Sequence, residues 1–69
     1  METKYTVSGM TCQHCVAHVT EEVSAVAGVD QVSVSLDDGS MAVTSAAPIA
    51  FDAIKAAVDE AGDYTVAPA

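Results

Sequence analysis

The chain has almost no positive charge. Two lysines, Lys4 and Lys55, stand against ten acidic residues, and the net charge is −8 over 69 residues. That balance argues against nucleic acid, which is held by a basic face. It argues equally against an anionic bilayer surface. Long apolar runs are missing too. No window nears the roughly 18 residues that a membrane helix needs, so no direct membrane insertion is expected. The opening METKYTVSGM lacks a basic stretch followed by an apolar one and does not read as a secretory leader. The expectation is therefore a cytoplasmic protein. Aromatics are confined to Tyr5, Phe51 and Tyr64, and cysteine to Cys12 and Cys15. Cytosolic thiols stay reduced, so a lone pair of cysteines leans towards metal or redox chemistry and away from a structural bridge.

What is present fits one domain, residues 1–69, close to the lower size at which a chain buries a core unaided. Apolar residues make up 51% of it, mostly Ala and Val, so the core is thin. The acidic balance suits a soluble monomer that meets a partner with a positive patch. Solubility alone accounts for it as well.

Periodicity places the elements. Lys4 to Ser8 alternates and is rich in β-formers, a strand. Gly9 to His14 reads as a loop, and a helix follows from about Cys15. On that helix Val16, Val19, Val23 and Val26 share a face. Gly28 is expected to end it at the C′ position. Valines are poor helix formers, so packing must hold this helix. Gln31 to Leu36 alternates strictly, Asp38-Gly39 predicts a two-residue hairpin turn, and Met41 to Thr44 returns as a strand. A short linker leads to a second helix on which Phe51, Ile54, Val58 and Ala61 repeat, with Gly62 closing it. Tyr64 to Ala67 is a last short strand. The order β-α-β-β-α-β predicts an α+β, ferredoxin-like fold: a four-stranded antiparallel sheet with two helices on one face.

The chemistry lies in GMTCQHC, residues 9 to 15. Cys12 falls in the loop and Cys15 opens the helix, so both sulfurs converge on one point. A helix N-terminus offers free N–H groups and a partial positive charge, which favour thiolate over thiol. Thiolates are ligands and nucleophiles, so metal and redox readings both survive this step. A disulfide here would close a tiny loop and stabilise little. Thioredoxin-like exchange usually has an aromatic before the first Cys and a proline loop beside the site. Here Thr11 precedes Cys12, and Pro48 and Pro68 are distant. A cysteine nucleophile needs a base and a pocket; His14 or His18 could be the base, but the chain leaves little room for a cleft. A structural zinc site wants four ligands. His18 fits a solvated helix face, and His14 should point outward. Two soft thiolates suit a soft, low-coordinate ion: Cu(I) first, with Hg(II) as a toxic mimic.

GMTCQHC between a first strand and a first helix resembles the heavy-metal-associated (HMA) domain, and within it the small bacterial copper chaperones of the CopZ type. The likeness covers essentially the whole chain. It implies that Cys12 and Cys15 are the Cu(I) ligands, held near-linearly. It implies that Met10 tucks under the site, that Gly9 frees the loop backbone, and that Thr11 belongs to the copper branch. Related zinc and cadmium domains tend to carry Asp there. His14 matches a histidine frequent in bacterial chaperones, with solvent exposure its simpler explanation. Many members have Gly-Tyr after the second helix, the Tyr leaning over the metal loop. Here Asp63 separates Gly62 from Tyr64. That leaves two geometries open: a one-residue bulge that keeps Tyr64 at the site, or a displaced ring. Ala50 falls where the family often has a Ser or Thr cap, with Asp52 compensating through the dipole.

The resemblance further implies a non-enzymatic carrier that passes Cu(I) by ligand exchange to the metal-binding domain of a copper-transporting P-type ATPase. A copper-responsive regulator is a second candidate recipient. A monomer is expected, with a copper-bridged dimer as the alternative state. The chain starts with Met and ends soon after the last strand, which favours a free-standing chaperone over an excised ATPase domain. A mercury- or zinc-handling homologue, and a small thiol-disulfide oxidoreductase, are the competing readings.

Overall fold

A computed structural model describes residues 1–69. The elements run β1 (Glu2–Ser8), α1 (Gln13–Ser24), β2 (Val29–Val34), β3 (Ser40–Ser45), α2 (Phe51–Ala61) and β4 (Thr65–Pro68). The sheet order is β2-β3-β1-β4, and every neighbouring pair is antiparallel. This is the ferredoxin-like arrangement that the element order predicts.

Alternation decides which face is dry. In β1, Tyr5 and Val7 are buried while Lys4, Thr6 and Ser8 are exposed. In β3, Met41, Val43 and Ser45 are buried. Register brings like to like: Tyr5 lies opposite Met41, Val7 opposite Val66, and Val32 opposite Val43. Val19 and Val23 of α1, and Ile54, Ala57 and Val58 of α2, complete the core against that face. Phe51 stacks on Tyr5 with ring centroids 6.2 Å apart, anchoring the start of α2. The other face of the sheet carries hydroxyls and the few charges of the strands, and it stays wet.

Several boundaries differ from the sequence reading: β1 begins at Glu2, β2 at Val29 and β3 at Ser40, and β4 runs Thr65–Pro68, which leaves Tyr64 outside it. Helix α1 begins at Gln13, two residues before Cys15, so Cys12 is its N-cap, with extended φ −158° and ψ 173°. The Cys12 carbonyl accepts from Cys15 N at 3.1 Å and Val16 N at 3.3 Å, which starts the helix early. It ends at Ser24 with Ala25 as cap. Val26 N then donates to Val23 O and Val29 N to Val26 O, both at 3.1 Å, tightening the chain. Gly28, at φ +90°, serves the turn into β2 and not the helix end. The hairpin is also longer than two residues. Ser35 N donates to Ser40 O at 2.9 Å, and the Asp38 carboxylate accepts from Ser40 N at 3.0 Å. A two-residue type I′ turn needs positive φ at both central positions. Only Gly39, at +70°, has it. Leu36 consequently falls in the turn and β2 ends at Val34.

The second helix matches its expected bounds. Ala50 makes no side-chain cap, and Asp52 supplies the acid of the first turn. Ile54 is 0% exposed. Ile54→Ala should therefore lower unfolding stability by about 2–5 kcal/mol, a large share of what so small a core supplies. Urea denaturation of the reduced protein checks this.

Candidate metal centre

The site is built where the central strand β1 hands the chain to α1. Gly9 leaves the strand at φ +100°, which favours glycine. A Cβ there would also meet Asp63 O at 3.1 Å and the Tyr64 ring at 3.4 Å. Met10 is half-buried and packs against the core, so its side chain pins the loop from below. Thr11, Cys12 and His14 are exposed, and Cys15 is half-buried.

The sulfurs of Cys12 and Cys15 lie 3.8 Å apart, and both thiols are free. That separation is within reach of one bridging ion and well beyond a disulfide bond. No group of three His, Cys, Asp or Glu converges anywhere in the fold. His14 and His18 therefore do not join the cysteines. None of the cavities is lined by either cysteine; they lie on the wet sheet face and between the helices.

The Cys15 thiol is drawn down from 9.0 to about 6. The Thr11 backbone contributes most, followed by the Tyr64 side chain, while partial burial opposes both. Thr11 Oγ1 stands 3.8 Å from Cys15 Sγ and adds to the effect. In turn Cys15 pushes the Tyr64 phenol above its ordinary range. The first turn of α1 carries no acid and its cap offers no side-chain acceptor. The positive end of that helix is left to the thiolates.

Tyr64 is the residue whose position was open, and the ring stays beside the loop. It packs beside Gly62, where a Cβ would sit 3.0 Å from Cε2, and reaches Gly9 with Cδ1. Tyr64 N donates to Gly62 O at 2.9 Å, so the extra Asp63 is absorbed in a three-residue turn. Sequence reasoning treated Thr11 as a marker of the copper branch. Its role as the main neighbour stabilising the Cys15 thiolate was missed, although its place beside Cys12 was the available signal.

An exposed two-thiol loop on a β-α-β-β-α-β sheet defines a small soft-metal-binding domain. The heavy-metal-associated domain family model matches residues 4–63, and the chain belongs to that family. It is 43% identical over 56 residues to a COP-associated protein of Helicobacter felis, covering 81% of this chain and 85% of that one. It is 40% identical over 57 residues to the copper chaperone CopZ of Bacillus subtilis, covering 83% of this chain and 74% of that one. A solved CopZ metallochaperone superposes with a TM-score of 0.86 at 26% identity, over 97% of this chain and all of that one. The family also supplies pieces of larger proteins. A copper binding domain from the P-type ATPase HMA7 gives a TM-score of 0.86 at 26% identity, covering 99% and 92% of the two chains. A mercuric reductase of Shewanella putrefaciens aligns at 32% identity over 81% of this chain but only 10% of its own length.

The lowered thiol has a measurable consequence. Alkylation of Cys15 in reduced, metal-free protein should track its thiolate, with a midpoint near pH 6. The sign for stability follows from the lowered value: the contribution is full above the unfolded thiol's ordinary pKa and is lost as pH falls through about 6. An iodoacetamide rate profile by mass spectrometry reads the midpoint; one near 9 would contradict this environment.

Proposed function

We propose that this chain is a single heavy-metal-associated domain that carries Cu(I) in the cytoplasm, holding it between Cys12 and Cys15 and handing it on by ligand exchange. The observation that carries the reading is the pair of free sulfurs 3.8 Å apart with no third ligand near them. Two thiolates satisfy Cu(I), which accepts low coordination, and leave Zn(II) short of its four ligands. Met10 shapes the loop from the core side, Tyr64 flanks Cys15, and His14 stays in solvent. No helix is long and apolar enough to cross a membrane.

Transfer needs an open third position. A partner's cysteine thiolate bonds to the bound Cu(I), giving a three-coordinate bridge. One Cys–Cu bond of the donor then breaks, the freed sulfur keeps its electron pair, and copper remains Cu(I). The exposure of Cys12 supports this path. The recipient is the metal-binding domain of a copper-transporting P-type ATPase. The likeness to an ATPase copper-binding domain supports a pairing of like folds. It equally supports a second reading, in which this chain is itself such a domain. Neither form is an enzyme in this proposal, and the carrier works as a monomer.

Competition against a chromophoric Cu(I) chelator tests the metal, with Zn(II) in parallel. Reduced protein should bind one Cu(I) through both thiolates and largely ignore zinc. Cys12→Ser should lose stable binding; near-normal affinity in that variant would overturn the ligand assignment. The rate of transfer to an ATPase domain with a basic face should fall as salt is raised, since ten acids steer the encounter. A rate indifferent to ionic strength would remove steering from the mechanism.

A further inference from the structure

Only residues 9–12 separate the end of β1 from the start of α1. Cys12 among them is extended, so this tether holds little slack. Where β1 ends therefore decides where Cys12 stands. Cys15 is seated separately, by the burial of Val19 and Val23 on its own helix. The geometry of the sulfur pair thus has two anchors, the helix and the end of the strand.

The end of β1 is held along both edges. On one side β4 pairs with it, Val7 opposite Val66 and Ser8 opposite Thr65. On the other side the register with β3 stops at Thr6 opposite Ser40. One bond carries the ladder further: Val7 N donates to Gly39 O at 2.7 Å. A full antiparallel rung exchanges two bonds, and here Gly39 N returns none. Bonded rungs alternate, so the next one back is Tyr5 with Met41. The Val7–Gly39 bond is therefore the last backbone tie between β1 and the hairpin.

Nothing larger than glycine fits at that tie. Gly39 has φ +70°, and a Cβ there would stand 2.7 Å from Val7 O, a backbone atom. Val7 cannot retreat, because its side chain is 3% exposed and packed in the core. The tip is braced from behind. Ser35 N donates to Ser40 O at 2.9 Å, and the Asp38 carboxylate accepts from Ser40 N at 3.0 Å. A side chain at position 39 is thus relieved by parting the tip from the strand, which breaks the Val7–Gly39 bond.

We propose that Gly39, at the tip of the β2–β3 hairpin, is a positioning residue for the metal loop: through Val7 it fixes where β1 ends, and so where Cys12 stands against Cys15. Gly39 lies in another loop and touches neither sulfur by this route. The positioning concerns the thiol pair itself, and its consequence for Cu(I) rests on the carrier reading.

Two full-length variants test it. Gly39→Ala adds the Cβ. The milder one replaces the Val7 amide by an ester, which removes the N–H donor and keeps the side chain. Joining synthetic residues 1–11 to residues 12–69 at Cys12 makes that chain, with Cys12 intact. The first readout needs no metal. Cys15 N and Val16 N both donate to the Cys12 carbonyl, so their hydrogen exchange reports where Cys12 stands. In both variants their protection should fall by about fivefold, the scale of one backbone hydrogen bond, while Val58 in α2 keeps its own. Unchanged protection at Cys15 and Val16, or equal loss at Val58, overturns the proposal. The second readout is Cu(I) affinity by chelator competition, at a temperature where every chain is folded. It should fall by about fivefold in both variants and hold in Ile54→Ala, which weakens the core and leaves the hairpin alone. Unchanged affinity in the two variants, or an equal loss in Ile54→Ala, also overturns it. If no chain binds Cu(I) and the two amides still lose protection, the carrier reading fails while the positioning stands.

Discussion

The seating of α1 on the sheet fixes everything at the metal end. Val19 and Val23 are both 0% exposed, and Cys15 lies four residues before Val19 on the same stripe. Burial of the valines therefore sets both the height and the rotation of Cys15. It leaves the sulfur half in and half out, at the top of the buried face. Cys12, as N-cap, is off the stripe and exposed. The helix has little else to hold it. Its valines are weak formers, it has no capping side chain, and Glu21 and Glu22 sit near the wrong end of its dipole. Packing alone positions the Cys15 thiol, so the thin core is also the scaffold of the cysteine pair.

A second restraint comes from the far end of the chain. Tyr64 fits a slot made by two glycines, Gly9 in the metal loop and Gly62 at the close of α2. Both have positive φ, at +100° and +153°. A Cβ at Gly62 would press on the ring at 3.0 Å, and one at Gly9 would press on the Asp63 carbonyl at 3.1 Å. The last turn of α2 and the metal loop thus share one aromatic wall, on the Cys15 side of the sulfur pair. Cys12 keeps the exposed side.

The amino-acid pattern revealed the fold and the cysteine pair because both are written in short-range code. Period 2 at Gln31 to Val34, period 3.6 at Val16 to Val23, and the glycine after Ala61 each act locally. What it blurred depends on partners distant in sequence. Cys12 caps α1 because the loop is stretched between β1 and the buried valines, which no window around Cys12 reveals. Asp38-Gly39 resembles a tight turn until Val7, some thirty residues away, takes the Gly39 carbonyl. The place of Tyr64 hinged on one added residue, Asp63, and local rules allowed either outcome. Thr11 gained its role only when the helix start moved to Gln13 and carried Cys15 Sγ to within 3.8 Å of its hydroxyl.

The same geometry explains why the fold is complete without metal. The ten core residues include neither cysteine, and no buried side-chain polar atom lacks a partner. A structural zinc domain spends its metal on folding and unfolds when the ion leaves. Here the ion would bridge an exposed N-cap and the first turn of a helix already seated by other residues. Loading would then order a loop, not a core, and release would cost the domain little. Both sulfurs accordingly stay open to other thiols in solution.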